Sequence, residues 1–284
     1  MVKKKKILIL GSRGQIGAHL KSYLDERYLV KGIDIVNSNK EDLRDDKNLL
    51  ITKLIINSDF IFFLAFDVGG SKYLNNYQYS YQFLMNNIRI MKNVFHLLKK
   101  NKKKFIFATS QMSNMSHSTY GILKKIGEYL TESLGGLNVR FWNIYGVEED
   151  KEKFHVISDF ITKGLKSKDV KMRTNGKEVR DFLYTEDCCS ALELIMKKYR
   201  FFKKRKIIDL NSGKNTSIRD IAKIISNLFL KNQNRKVKFL PSRQKDNVQR
   251  NKKNKSDRYF FKFWKPKHTI ELGIEKVFKY YIQK

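Results

Sequence analysis

The sequence predicts an α/β fold, a doubly wound parallel sheet with a smaller mixed α/β part toward the C-terminus. Three observations carry this. Short apolar runs alternate with amphipathic helical segments, the pattern of strands joined by crossover helices. Several of those runs are apolar throughout, as in Phe60-Ile-Phe-Phe-Leu64, which suits strands covered on both faces. A glycine-rich turn, Gly11-Ser-Arg-Gly14-Gln-Ile-Gly17, stands between the first run and the first helical segment.

In order along the chain, Ile7–Leu10 reads as the first strand. Residues 15–27 read as a helix, with Ile16, Leu20, Tyr23 and Leu24 on one face. Residues 29–35 and 60–64 read as strands, and 75–100 as one long amphipathic helix. Phe105–Ala108 is a buried strand, 120–134 a helix and 139–142 a strand. Beyond Gly146, helical periodicity recurs at 154–166, 186–199, 217–230 and 269–281, between short strand-like pieces. The expected division is a dinucleotide-binding part over 1–146, to which the chain returns around 181–212, and a mainly substrate-binding part over 147–284.

Composition bounds the function. With 284 residues, 41% of them hydrophobic, a large core can form. The apolar run after Lys3–Lys6 is too short for a secretory leader, and Phe60–Phe66 is too short to span a bilayer. Cys188 and Cys189 are the only cysteines and are adjacent, which excludes a disulfide framework and a cysteine metal cluster. A cytoplasmic protein is expected. The net charge of +31 is extreme, and residues 231–267 hold fourteen Lys/Arg against two Asp. No RNA-binding or zinc-finger pattern accompanies it, so nucleic acid is not the expected partner. Asn251–Lys255 reads as an exposed charged loop.

The glycine spacing suits a dinucleotide pyrophosphate. Gly11 permits the tight turn, Gly14 lets the backbone approach the phosphates, and Gly17 lets helix and strand pack closely. Gln15 and Ile16 open the helix at that point. Asp34, at the end of the second strand, would accept from the adenosine ribose 2′-OH, which favours NAD over NADP. Arg13 argues the other way, since a guanidinium can meet a 2′-phosphate. Asp42 reads equally as an adenine contact or a helix N-cap. Leu43, Leu64 and Ala65 complete the cofactor-binding set. Val68, Gly69 and Gly70 lie beside the reacting groups or form a plain turn.

Tyr120 and Lys124 are four apart on a predicted helix and share a face. A free tyrosine has a pKa near 10. A neighbouring ammonium lowers it toward use as a base, and the same lysine can bond the nicotinamide ribose. Ser110, just past a buried strand, is placed to hold a reacting hydroxyl. The set Ser110, Tyr120 and Lys124 therefore reads as catalytic, for hydride chemistry at a carbinol.

These residues resemble the extended short-chain dehydrogenase/reductase superfamily, in its NAD-dependent epimerase/dehydratase branch, over nearly the whole chain. Arg140-Phe-Trp-Asn143-Ile-Tyr145-Gly146 is similar to the family's Arg-x-x-Asn-x-Tyr-Gly segment, which implies that Asn143 touches substrate. Arg180-Asp181-Phe182 with Asp187 is similar to the stretch whose arginine binds the substrate pyrophosphate. Asn211-Ser-Gly213 before Ser217-Ile-Arg-Asp-Ile resembles the strand-to-helix step near the family's C-terminus. Arg243 sits where a second phosphate-binding arginine is usual. The resemblance implies a nucleotide-diphosphate sugar as substrate and a homodimer built on the helices at 75–100 and 120–134.

Departures narrow the reaction. Gln111 and Met112 follow Ser110 where 4,6-dehydratases have Asp-Glu, which disfavours loss of water, and Met112 cannot replace the cysteine of 3,5-epimerases. The segment from Asp34 to Asp42 is short, as in reductase members. His155 lies near the acid/base histidine of fucose synthases, but without the cysteine it reads first as structural. Gln111, Met112, Ser113 and Asn114 are expected to line the sugar pocket. The reading is a C4 epimerase, with a 4-keto-sugar reductase as runner-up and a binding protein without turnover third.

Overall fold

The computed structural model describes residues 4–249 and 254–284. The expected loop at 251–255 therefore lies mostly outside the described residues, and of it Asn254 and Lys255 are in irregular chain. The strands are β1 (Lys6–Leu10), β2 (Leu29–Ile33), β3 (Phe60–Phe63), β4 (Phe105–Ser110), β5 (Leu137–Phe141) and β6 (Asn143–Tyr145), then β7 (Asp169–Lys171), β8 (Val179–Tyr184), β9 (Ile207–Leu210), β10 (Asn215–Ser217) and β11 (Lys238–Leu240). The main sheet has six strands in the order β2-β1-β3-β4-β5-β9, all parallel. A three-stranded sheet, β10-β8-β6, and a two-stranded sheet, β11-β7, form the smaller part.

The alternation of the central strands explains why they are apolar throughout. Ile7, Ile9, Phe60 and Phe62 join the core on one face, while Leu8, Leu10, Ile61 and Phe63 join the core on the other. Helices cover both faces: α1 (Gln15–Asp25), α2 (Leu49–Ile56), α3 (Ser71–Tyr77), α4 (Tyr81–Lys100) and α5 (Thr119–Ser133) in the first half. In the second half come α6 (Val156–Lys166), α7 (Thr185–Lys197), α8 (Tyr199–Phe202), α9 (Ile218–Gln233) and α10 (Ile270–Gln283). A third core, of Ile157, Phe160, Ile225, Phe229, Ile274 and Phe278, holds α6, α9 and α10 together.

Among the expected boundaries that move, two have a clear local cause. The second strand ends at Ile33, because the Asp34 amide donates to Glu41 Oε2 at 2.7 Å rather than to a neighbouring strand. The single helix expected over 75–100 is two helices. Ser80 takes extended dihedrals and caps α4 by accepting from Phe83 N, and this local bond ends α3 just before it. The chain passes from β2 back across β1 to β3, so the direction of winding reverses between β1 and β3. A crevice opens there, outside the carboxyl ends of the strands.

Candidate active site

The turn after β1 opens that crevice. Gly11 has φ +89°, which a side chain would disfavour, and a Cβ on Gly17 would lie 2.0 Å from Gly11 O. The strand and α1 can approach this closely only without side chains at both positions. Gly14 is the N-cap of α1 and offers no side-chain cap, and no acidic residue occupies the first turn. The first N–H groups of α1 are thus free to meet an anion. Gln15 Nε2 is buried there without a hydrogen-bond partner.

This turn forms one wall of a cavity of about 1020 Å3. Asp34 is on its rim, and its carboxylate accepts from Arg13 N at 2.9 Å and Val36 N at 3.1 Å. Arg13 turns its guanidinium across the opening to Glu149, 3.2 Å away. Asp42 forks onto Arg44, at 2.8 Å for Oδ2 to Nη2, and this hydrogen bond holds the Asp42 pKa below its usual value.

Ser110 ends β4, and its hydroxyl accepts from Met112 N at 3.2 Å. Tyr120 stands in the first turn of α5, which Ser118 caps by accepting from Gly121 N. Burial pushes the Tyr120 phenol up to about 12, opposed by its hydrogen bond with Ser110. Burial lowers the Lys124 ammonium to about 7, opposed by the charge of Glu128 one turn on. Lys124 Nζ donates to Ala108 O at 2.7 Å and lies 3.7 Å from the Phe66 ring centroid and 5.8 Å from that of Tyr120. Behind it, buried Glu128 accepts from Thr109, Ser113, Lys125 and Arg140, which fixes the start of the loop after β4 to the face of α5.

A second cavity, of about 560 Å3, lies beyond these side chains. Ser110, Tyr120, Trp142 and His155 line both cavities and form the wall between them. Its far end carries Arg173, Arg180 and Lys245. His155 Nδ1 lies 2.7 Å from Glu148 Oε1. Burial pulls the His155 pKa down, but the charge and hydrogen bond of Glu148 outweigh it and the net shift is upward.

A sequence profile of the NAD dependent epimerase/dehydratase family matches residues 7–210, from β1 through β9. The chain belongs to that family. The UDP-N-acetyl-alpha-D-glucosaminuronate decarboxylase of Bacillus cytotoxicus is 27% identical over 265 residues, covering 79% of this chain and 80% of the relative. The CDP-abequose synthase of Salmonella typhimurium is 24% identical over 97% of this chain and 98% of its own. Among solved structures, the UDP-glucose 4-epimerase of Thermotoga maritima superposes with a TM-score of 0.77 at 21% identity, over 98% of this chain and 99% of its own. The NADP-bound GDP-mannoheptose C4 reductase of Campylobacter jejuni gives 0.80 at 18%, over 99% of both chains. These two likenesses establish the fold, a Rossmann-like α/β architecture.

The larger cavity fits the family's dinucleotide. Its orphaned Gln15 amide and the uncapped start of α1 suit a pyrophosphate. Every residue the sequence assigned to the cofactor lines this cavity: Gly11, Arg13, Gly14, Gln15, Ile16, Gly17, Asp34, Asp42, Leu43, Leu64, Ala65, Tyr120 and Lys124. The second cavity gathers Met112, Asn143 and Arg180, and Val68 and Gly69 line both.

Four expected pocket residues are placed elsewhere. Residues 111–114 form a 3-10 turn, so their side chains fan out. Gln111 faces Asn254, Ser113 turns inward to Glu128, and Asn114 is exposed. Arg243 is also exposed and lines neither cavity, while Gln244 and Lys245 after it do line the second. His155, read first as structural, lines both cavities, while sequence reasoning missed Arg173, Lys245 and Glu148 as cavity residues. The order of helices and strands carries no signal for them, because the loops that bear them meet only in the folded chain.

Proposed function

We propose that the protein is an NAD-dependent epimerase of a nucleotide-diphosphate sugar, working by transient oxidation at C4. The observation that carries this reading is the shared wall, which sets Ser110 and Tyr120 between a dinucleotide-sized cavity and a second, arginine-lined one. A bound dinucleotide supplies a reversible acceptor for the C4 hydride. Tyr120 Oη takes the C4 hydroxyl proton and returns it after the keto-sugar turns over. Ser110 Oγ donates to the oxygen as it becomes a carbonyl. Lys124 holds the cofactor ribose. Burial alone raises the Tyr120 phenol, contrary to the lowering expected from the sequence, so its use as a base calls for the positive nicotinamide of the bound oxidised cofactor together with protonated Lys124. Arg180 binds the diphosphate, with Met112 and Asn143 beside the sugar.

NAD is the preferred cofactor. Asp34 would repel a 2′-phosphate, and Glu149 engages the one cation of the glycine turn. Residues 1–146, to which the chain returns around 181–212 to complete the sheet with β9, form the cofactor-binding part, and 147–284 is mainly the substrate-binding part. The protein acts as a homodimer through α4 and α5, where Ile88, Ile122, Ile126 and Tyr129 are exposed. Its two buried thiols suit a reducing compartment, the cytoplasm. Among the described residues, no helix is long and apolar enough to cross a membrane.

A net NAD(P)H-dependent 4-keto-sugar reductase is the second reading. It is favoured by His155, a further proton donor that is held by Glu148 and lines both cavities. Proton NMR of UDP-, GDP- and dTDP-sugars in D2O with catalytic NAD separates the two. An epimerase yields a C4 epimer free of solvent deuterium. A reductase yields nothing until a keto-sugar and stoichiometric NAD(P)H are supplied. Deuterium at C3 or C5 would overturn both, by revealing carbon-acid chemistry.

A further inference from the structure

The main sheet is parallel throughout, so the amino ends of its strands emerge together at the pole opposite the two cavities. Three basic runs lead into three of these strands: Lys4–Lys6 at β1, Lys102–Lys104 at β4 and Lys203–Lys206 at β9. In the sheet order β1 and β9 stand four steps apart, roughly 19 Å at about 4.8 Å per step. The runs are therefore one surface. Lys104 adds to the lowering of the Lys5 pKa, behind the larger effect of burial, as expected of neighbouring cations. The crossover helices end at the same pole, α4 in Lys99 and Lys100 and α7 in Lys197. Exposed Lys100, Lys102, Lys104, Lys198 and Lys204 make no ion pair among the described residues. Acids on this face are largely engaged: Asp59 accepts from Lys6 N at 2.8 Å and Glu132 pairs with Lys206.

Large apolar side chains stand among these cations. Leu29 is 52% exposed and its N–H donates to Lys5 O. Ile56 is 49% exposed, and Lys103 Nζ donates to its carbonyl. Phe201 is 47% exposed, two residues before the third basic run, with its ring centroid 5.2 Å from that of half-exposed Phe263.

We propose that this pole docks on an anionic lipid bilayer, leaving both cavities facing the water. The charge is complementary to anionic headgroups, and each basic residue near such a surface strengthens binding by about fivefold, the equivalent of about 1 kcal/mol. The apolar side chains fit the boundary between headgroups and acyl chains. Aliphatic Leu29 and Ile56 favour a bilayer over single-stranded nucleic acid, which stacks its bases on aromatic faces such as that of Phe201.

The test is co-sedimentation with phosphatidylcholine vesicles, pure or containing one quarter phosphatidylglycerol. Binding is expected only to the anionic vesicles and is lost at high salt. The triple variant Lys102→Gln/Lys104→Gln/Lys204→Gln should lower the partition about a hundredfold. The triple variant Lys166→Gln/Lys168→Gln/Lys223→Gln, with the same net charge but on exposed residues of the smaller part, should stay within about threefold of the parent. Leu29→Ser/Phe201→Ser should weaken binding with all charges kept. Thermal melting of each variant checks its folding. Three results would overturn the proposal: no binding to anionic vesicles, equal losses in the two triple variants, or competition by duplex DNA with no effect of Leu29→Ser/Phe201→Ser.

Discussion

The two cavities that meet at Ser110 and Tyr120 are built in different ways. The larger one is organised around neighbours in sequence, a strand, a glycine turn and the helix start that follows, with Asp34 just past the next strand, and more distant segments complete its walls. The smaller one is assembled from segments that meet only through the fold, among them Gly69–Asn75, Trp142–Tyr145, Arg173–Thr174 and Gln244–Gln249. A local motif tolerates little change because its backbone is the binding surface. A dispersed site tolerates more, because each loop contributes one or two side chains. The difference predicts a gradient of mutational effects.

The steepest effect belongs to the glycine turn. In Gly17→Val, the new side chain would begin 2.0 Å from Gly11 O, so the strand and α1 must part. Dinucleotide binding should fall below detection by calorimetry, with a lowered melting temperature. Retained binding would break the distinction between the cavities.

Next comes Arg180→Ala in the dispersed cavity. Arg180 is largely buried and paired with Asp246, so its loss removes a charge-assisted partner for phosphate and leaves the Asp246 carboxylate unpaired beside it. KM for the nucleotide sugar should rise about 10- to 100-fold, with kcat within about threefold and cofactor affinity unchanged. Arg243→Ala should leave both constants alone. Smaller still is Asp34→Ala, which removes the 2′-OH acceptor and should weaken NAD by about tenfold while leaving NADP unweakened, as titration of cofactor fluorescence would show.

The gradient also describes what could be read in advance. Gly11, Gly14, Gly17 and Asp34 are legible because adjacent elements impose their spacing. Tyr120 and Lys124 are legible because one helix face carries both. The 3-10 turn at 111–114 was not legible. Met112 is the one apolar residue there, too few to show helical or strand periodicity, and the directions of Gln111 and Ser113 are set by Asn254 and Glu128, outside the turn. The break between α3 and α4 rests on one capping serine, Ser80, within a continuous amphipathic pattern. Arg243 carried a family expectation, but the loop after β11 presents Gln244 and Lys245 to the cavity instead.

The smallest effect concerns stability at the junction. Folding lowers the Lys124 pKa from 10.5 to about 7, so between these values the unfolded chain holds a proton that the folded chain lacks. Stability from this group therefore rises with pH across that window, and the destabilisation is complete below about pH 7. Lys124→Met should melt a few degrees above the parent at pH 7, with the gap closing as pH approaches 10. A gap independent of pH would show that Lys124 is not the titrating group.

The central claim is that Tyr120 moves the proton at the wall between the cavities while the larger cavity holds the cofactor without it. The most direct measurement is a comparison of Tyr120→Phe with the parent, using turnover of the sugar found by NMR and the dissociation constant for NAD. The account predicts a loss of roughly 10^2- to 10^4-fold in kcat, as for removal of a general acid/base, with NAD affinity within about threefold. Near-parental turnover in Tyr120→Phe would contradict it, and so would a collapse of NAD binding in step with activity.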